Sequence, residues 1–130
     1  MILDGDGAVL GRLASRTAKL LLAGEEVIVL NAEKVVITGD REFVKKKYLE
    51  KLPIGSPQHG PYFPRRADMI VRRAIRGMLP YKKAKGLAAF RKLRVYKGVP
   101  EGLKGDIKSM KRDIRSPCIS IGELSRVMNG

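Results

Sequence analysis

The spacing of apolar residues along the first thirty residues predicts three elements of secondary structure. Residues 1–4 form a short apolar run that ends in an acid, which predicts a strand followed by a glycine-containing turn. From Leu10 to Leu21 apolar residues recur at helical spacing, and Gly24 is a natural stop for that helix. Residues 27–30 are four consecutive apolar residues, which predicts a strand buried on both faces, as in a parallel sheet.

The middle of the chain contains a predicted strand and two predicted helices, with a loop between the helices. Residues 35–37 are β-branched and predict another short strand, and Asp40 can cap a helix that extends to about Leu52. Residues 53–65 contain four Pro and two Gly, which predicts a loop. Residues 67–79 form the most clearly periodic helix, with arginines opposite its apolar stripe. The predicted stripe consists of residues 67, 70, 71, 74, 75 and 78.

Two further elements follow before the periodicity is lost. A helix over about residues 83–92 would bury Ala84 and Leu87 and can also bury Phe90, and residues 93–96 alternate as a strand does. Residues 101–117 are polar and aperiodic, which predicts an extended arm. Residues 119–128 regain apolar positions and can dock as a strand-like turn and a short helix.

This order of elements predicts the α/β class. We expect a three-layer α/β/α fold around a small, mostly parallel, four-stranded sheet. A length of 130 residues suits one domain, since domains have roughly 100–200 residues, and a hydrophobic fraction of 44% is enough for a packed core. We expect residues 1–100 to form the α/β core. Residues 101–130 would add a basic extended arm and a short terminal helix to the same domain.

Composition excludes several classes of protein. The single Cys excludes an intrachain disulfide framework and a Cys-rich zinc module. No apolar run reaches the roughly 18 residues that a membrane span requires. We therefore expect a cytoplasmic protein that has no membrane partner.

The basic residues are unevenly distributed along the chain. The formal net charge is +14, of which residues 1–65 carry only +2 and residues 66–130 carry +12. Between residues 65 and 97 there are 12 Lys or Arg and a single acid, Asp68. Like charges at this density repel one another unless a polyanion neutralises them, which favours a nucleic-acid partner. The few aromatic residues favour folded, duplex-rich RNA over single strands.

The N-terminal glycines raise an alternative, a small nucleotide- or phosphate-ester-binding α/β enzyme. The dinucleotide fingerprint needs glycines at its first, third and sixth positions, whereas here Gly5 and Gly7 are followed by Leu10, and the next glycine is Gly11. The favoured interpretation is that Gly5 and Gly7 form a tight turn and that Gly11 lets the helix pack closely on the sheet.

Other constellations of reactive residues are weak. His59 and Cys118 are the only residues of their types and lie far apart in sequence, so we expect no catalytic residue. His59 is better placed in its loop to contact a base or a phosphate. Asp4 and Asp6 have no nearby partners for a metal, and a turn or cap role is favoured. We expect neither a metal nor a cofactor.

Basic residues carry the strongest functional signal. Arg72, Arg73 and Arg76 are spaced to share one helix face, and the planar guanidinium fork matches phosphate oxygens. A lysine cluster follows Pro80 at the start of the next helix, where backbone N–H groups also favour phosphate. The residues predicted to bind RNA are Arg12, Lys45, Lys46, Lys47, His59, Arg65, Arg66, Arg72, Arg73, Arg76, Lys82, Lys83, Lys85, Lys104, Lys108, Lys111, Arg112 and Arg115.

Four short motifs occur in an order that resembles a known family. They are Gly11-Arg12-Leu13-Ala14-Ser15, Asn31-Ala32-Glu33-Lys34, Arg76-Gly77-Met78-Leu79-Pro80 and Val95-Tyr96-Lys97-Gly98-Val99-Pro100. Together they resemble the signature segments of large-subunit ribosomal protein thirteen, the universal L-thirteen family. The likeness covers about residues 1–100. The start at the first strand and the C-terminal segment resemble the archaeal and eukaryotic form.

The resemblance implies both a fold and a role. It implies a three-layer α/β/α fold, and a structural, non-catalytic protein that binds large-subunit ribosomal RNA early in assembly. Its partners would be that RNA and neighbouring ribosomal proteins, in the cytoplasm, with no small-molecule substrate. The motifs do not fix individual RNA contacts. An RNA-binding regulator of translation remains a further alternative, since the same basic surface would serve it.

Overall fold

The computed structural model describes residues 1–51, 66–103 and 105–129. The described strands are β1 (Ile2–Asp4), β2 (Val27–Leu30), β3 (Val36–Thr38), β4 (Leu93–Val95), β5 (Ile107–Ser109) and β6 (Cys118–Ser120). The described helices are α1 (Leu10–Leu22), α2 (Arg41–Lys51), α3 (Ala67–Arg76), α4 (Ala84–Phe90) and α5 (Ile121–Asn129), with a 3-10 turn at Ala32–Lys34.

A four-stranded sheet with every strand parallel forms the centre of the fold. The strand order is β4-β2-β1-β5, so β1 and β2 lie inside the sheet. Ile2 pairs with Ile28 between the two inner strands. Val27, Val29 and Leu30 are completely buried, which confirms the strand predicted from the apolar run at residues 27–30. The α/β class with a small parallel sheet is likewise confirmed.

The fourth strand of this sheet is not the one that the sequence pattern indicated. The four strands that the sequence predicts include residues 35–37. In the structure this strand, β3, pairs antiparallel with β6 in a separate two-stranded sheet. The position at the sheet edge belongs to β5, which lies in the stretch predicted to be an aperiodic arm. All three residues of β5 are exposed, so the strand is held by its backbone and needs no apolar pattern.

The C-terminal residues pack into the same core as the N-terminal ones. Ile119, Ile121 and Leu124 are completely buried. The Ile121 N–H donates to the Val35 carbonyl at 2.7 Å, which ties the start of α5 to the strand region around β3. The predicted docking of a short strand and a terminal helix is confirmed, and both are part of the main core.

The periodic helices follow their predicted apolar faces with two exceptions. The α1 stripe from Leu10 to Leu21 is buried as predicted. Helix α3 ends at Arg76, three residues before the predicted end, and this leaves Met78 45% exposed while Leu79 is buried. In α4 the prediction that Ala84 and Leu87 are buried is wrong, because the helix turns Gly86 and Ala89 inward, while Phe90 is half-buried against the core.

Gly86 explains the orientation of α4. A Cβ at this position would lie 2.0 Å from the Pro80 carbonyl oxygen, so the backbone of α4 packs directly on the turn that follows α3. Only glycine permits so close an approach. A pattern of apolar side chains cannot reveal a helix face that packs through its backbone.

Helix α2 is capped as predicted and packs by its tyrosine. The Phe43 N–H donates to Asp40 Oδ1 at 3.1 Å. Tyr48 is half-buried against the core, and desolvation by burial raises the pKa of its hydroxyl above 10.0.

Two helical glycines give a matched test of these contacts. We expect Gly86→Ala to destabilise the protein by about 2 kcal/mol or more, because the new methyl overlaps the Pro80 carbonyl. At Gly11 an added Cβ meets nothing within 4 Å. Gly11→Ala should therefore stabilise the protein by up to about 1 kcal/mol through helix propensity. Urea denaturation measures both, and equal effects of the two changes would contradict the packing described.

Candidate nucleic-acid interface

Helix α1 and the segment after β5 enclose a groove with six basic side chains. We call it the α1–β5 groove, and its volume is about 580 Å³. Its lining residues are Gly11, Arg12, Ser15, Arg16, Lys19, Lys108, Ser109, Met110, Lys111 and Arg112. Among these described residues there is no Asp or Glu. The groove therefore joins cations that lie about ninety residues apart in sequence.

Helix α1 supplies one wall of the groove through the face opposite its buried stripe. Arg12, Arg16 and Lys19 follow one another at spacings of four and three residues, so they form a single exposed row. The row extends about 10 Å along the helix axis. The buried residues between them, such as Leu13, fix the rotation of α1 and hence the direction of the row.

Residues 108–112 form the other wall of the groove, and backbone hydrogen bonds hold them in place. Lys108 pairs with Leu3 in the β1–β5 ladder. Beyond the ladder, the Met110 N–H donates to the Asp4 carbonyl at 3.3 Å, and the Arg112 N–H donates to the Gly7 carbonyl at 3.2 Å. Main-chain pairing therefore holds the three cations Lys108, Lys111 and Arg112 beside α1.

The turn between β1 and α1 is packed by the chain itself. Gly7 has φ +70°, and an added Cβ would lie 2.9 Å from Lys111 Cγ, so the stem of that lysine covers the turn. A Cβ at Gly5 would lie 2.6 Å from Val35 Cγ2. The turn role predicted for both glycines is confirmed. The predicted role of Gly11 in close helix packing is wrong, because Gly11 faces the open groove.

Asp4 has the turn role that the sequence favoured. Its Oδ1 accepts hydrogen bonds from the Asp6 N–H at 3.0 Å and from Asn31 Nδ2 at 2.9 Å. These bonds join the carboxyl ends of β1 and β2. In the part of the chain that the structure describes, no three His, Cys, Asp or Glu side chains cluster closely enough to hold a metal ion.

Two arginines of α3 serve the fold as well as the surface. Arg72 donates to the Leu93 carbonyl at 3.1 Å, and its guanidinium lies 4.4 Å from the centre of the Phe90 ring. Arg76 lies 4.7 Å from the centre of the Tyr81 ring, and its Nε is buried. The sequence placed both on a solvent-facing row, but Arg72 attaches α3 to α4 and β4, and Arg76 stacks on Tyr81 in the turn before α4.

The lysines near α4 remain on the surface. Lys82, Lys83 and Lys85 are all exposed, as predicted for a surface that meets a polyanion. Arg73 on α3 is half-buried. The lysines near α4 are therefore exposed to solvent, whereas the arginines of the neighbouring helix α3 are half-buried.

The basic residues of α2 divide in a similar way. Lys46 and Lys47 are exposed, as a contact with RNA would require. Lys45 is half-buried and lies 3.6 Å from Glu42 and 3.8 Å from Glu123, so its charge is partly neutralised within the chain. Of the three lysines of α2 predicted to bind RNA, Lys45 is therefore the least available to a partner.

The remaining predicted residues lie on exposed segments or outside the described residues. Arg66 pairs with Asp68 at 3.3 Å, and the exposed Arg115 lies 3.9 Å from Asp113. The predicted contacts that lie outside the described residues are those of His59, Arg65 and Lys104.

Two of the four sequence motifs meet across the end of the sheet. Asn31 adopts a left-handed conformation with φ 55°, and its N–H donates to the Gly98 carbonyl at 3.0 Å. The Gly98 N–H in turn donates to Glu33 Oε2 at 2.9 Å. The segments around residues 31–34 and 95–100 therefore build the fold at this edge. A basic groove thus lies beside an end of the sheet that these motifs hold together.

Comparison with known proteins identifies the family. The sequence profile of Ribosomal protein L13 matches residues 1–102. The chain belongs to the ribosomal protein L13 family. It is 46% identical over 132 residues to the Large ribosomal subunit protein uL13 of Methanococcus maripaludis, a match that covers 98% of this chain and 96% of the relative.

Other relatives of the L13-family chain carry the same description. The Large ribosomal subunit protein uL13 of Archaeoglobus fulgidus is 53% identical over 104 residues, which are 80% of this chain and 67% of the relative. That of Methanocaldococcus jannaschii is 47% identical over 129 residues, with 96% and 94% covered. All three relatives are archaeal, in agreement with the form that the sequence resembles.

Two residues of the groove in this L13-family chain were absent from the predicted RNA-binding set. Arg16 and Lys19 share the exposed row of α1 with Arg12, and their spacing is visible in the sequence. Neither lies in the densely basic second half of the chain, which is where clustering of charge directed attention. The helical spacing from Arg12 was the signal that could have identified them.

The packing role of Arg72 is open to a direct test. Arg72→Ala removes a hydrogen bond from a charged donor and a cation–π contact, so we expect the free energy of unfolding to fall by about 2 kcal/mol. Lys82→Ala, at an exposed position nearby, is the control and should change it by less than about 0.5 kcal/mol. Chemical denaturation measures both. Equal stability of the two variants would show that Arg72 does not attach α3 to β4.

Proposed function

We propose that this chain is a structural, non-catalytic constituent of the large ribosomal subunit and that it binds large-subunit ribosomal RNA. Family membership over nearly the whole chain carries this proposal. The relatives' name, Large ribosomal subunit protein, describes the particle in which they are found. The net charge of +14 suits a polyanionic partner.

The structure suggests how such a protein would act. A rigid α/β body presents basic side chains on α1, α2, α4 and the segment around residues 108–115. Each exposed cation near an RNA phosphate displaces a condensed counterion, and that release favours binding. Surfaces on several sides of one rigid body allow it to brace RNA segments that converge on it. The exposed members of the predicted RNA-binding set would make these contacts.

The proposal also includes partners and location. Neighbouring large-subunit proteins would meet the surfaces that RNA leaves uncovered, and binding would occur early in assembly. The site of action is then the ribosome, in the cytoplasm. No helix among the described residues is long and apolar enough to cross a membrane.

The experiment is binding of the purified chain to large-subunit ribosomal RNA at several salt concentrations. If 6–10 phosphates are contacted, the affinity should fall steeply between 50 and 200 mM salt, by about 10³–10⁵ on the scale set by duplex DNA. The endogenous chain should also co-sediment with the large subunit in a sucrose gradient.

Three results would contradict the proposal. They are a salt-independent affinity for ribosomal RNA, a chain that sediments only as a free protein, and thermal stabilisation by free nucleotide without RNA binding. The last would favour the nucleotide-binding enzyme instead. The packed turn at Gly5 and Gly7 argues against that enzyme, because the chain's own Val35 and Lys111 cover the glycines.

A further inference from the structure

We propose that the α1–β5 groove holds an RNA phosphate backbone, and that binding there stabilises the docked position of residues 107–112. This inference rests on the proposed RNA-binding function and specifies where one contact lies. Its first support is charge: six cations line the groove, and no carboxylate among the described lining residues neutralises them. A polyanion is the partner that such a surface fits.

The start of α1 adds to the positive potential of the groove. A helix N-terminus carries a partial positive charge, and proteins commonly place an acid or a capping oxygen there. In α1 the N-cap is Val9, which makes no side-chain cap, and the first turn contains no acid. Arg12 lies in that turn instead, at a position where the helix dipole disfavours a cation. A phosphate in the groove would be attracted by both the dipole and the arginine.

Gly11 leaves the start of the helix accessible. It lines the groove, is exposed, and has nothing within 4 Å of the position that a Cβ would take. Gly11 itself therefore places no side chain between a phosphate and the helix backbone at this position. The row from Arg12 to Lys19 continues for about 10 Å, which is long enough to follow a backbone past more than one phosphate.

The two walls of the groove repel each other when no anion lies between them. Lys108, Lys111 and Arg112 approach three cations of α1, and the three residues of β5 are all exposed. Apolar burial of β5 itself therefore contributes little, and the main-chain bonds to β1, Asp4 and Gly7, with Met110 packed against the core, hold the segment against the repulsion. An anion that contacts both walls removes the repulsion, so RNA binding and docking of this segment favour each other.

The sharpest test places a carboxylate in the groove without harming the fold. Gly11→Glu should preserve or raise thermal stability, because an acid suits the first turn of a helix and the site has room. The same change should weaken binding to large-subunit RNA about tenfold or more, because it repels phosphate. Gly11→Gln is the control of the same size without charge. If Glu and Gln reduce the affinity equally, the groove is not a phosphate site.

The second test addresses the wall formed by the C-terminal segment. The slope of log affinity against log salt is negative. Replacing Lys108, Lys111 and Arg112 by Gln should make it shallower by about 0.7–0.9 for each phosphate that the variant no longer neutralises. A control variant that keeps the charges, with Lys108→Arg, Lys111→Arg and Arg112→Lys, should have the same slope as the native chain. An unchanged slope in the Gln set would overturn the proposal for this wall.

Hydrogen exchange tests the coupling itself. The amide of Met110 bonds to Asp4, and that of Arg112 bonds to Gly7, so both report docking of the segment. Large-subunit RNA should slow their exchange, whereas inorganic phosphate, which is too small to follow the row, should have a much smaller effect. Unchanged exchange with bound RNA would overturn the coupling, and an equal effect of phosphate would assign the groove to a small anion.

The failure of this inference can be distinguished from failure of the proposed function. If the native chain binds large-subunit RNA with a steep salt dependence but the Gly11 and C-terminal variants behave as their controls do, RNA binds at another surface. If the native chain binds no RNA, the proposed function itself is wrong.

Discussion

Pairing of β1 on both of its edges is the constraint on which the rest of the structure depends. One edge of Ile2–Asp4 pairs with β2 and the other with β5. At the last residue of β1, Asp4 Oδ1 accepts hydrogen bonds from the Asp6 N–H and from Asn31, and three residues later the Gly7 carbonyl accepts the Arg112 N–H. This short strand therefore positions the start of α1 and the C-terminal segment in one place. The groove exists because α1 begins just after β1 and the C-terminal segment pairs with β1.

Main-chain hydrogen bonds allow the fold to bring like charges together. An ion pair would neutralise the cations that a polyanion needs, and an apolar contact would bury them. Strand pairing does neither, since the ladder between β1 and β5 uses only backbone groups and leaves Lys108 exposed. The Lys111 stem packs over Gly7, while the residue remains exposed and lines the groove. Structure and charge are thus carried by different atoms of the same residues.

The sequence predicted those elements whose stability comes from burial of side chains. The α1 stripe and the strand at residues 27–30 could be recognised because apolar side chains repeat at a helical or strand spacing. Strand β5 could not, since its exposed residues pair through the backbone alone. The site divides in the same way: Arg12 was predicted, but its meeting with Lys108 depends on a strand that no periodicity marks.

Cations that build this fold differ physically from those that face a partner. Arg72 and Arg76 lie over aromatic rings, and Arg72 also bonds to a half-buried carbonyl, so close contact protects their interactions from salt. The groove cations are open to solvent, where salt screens them strongly. Added salt should therefore relieve repulsion in the free protein while it weakens RNA binding. A dense positive charge is then compatible with a stable fold because Arg72 and Arg76, which stack on aromatic rings, lie outside the groove where the open cations gather.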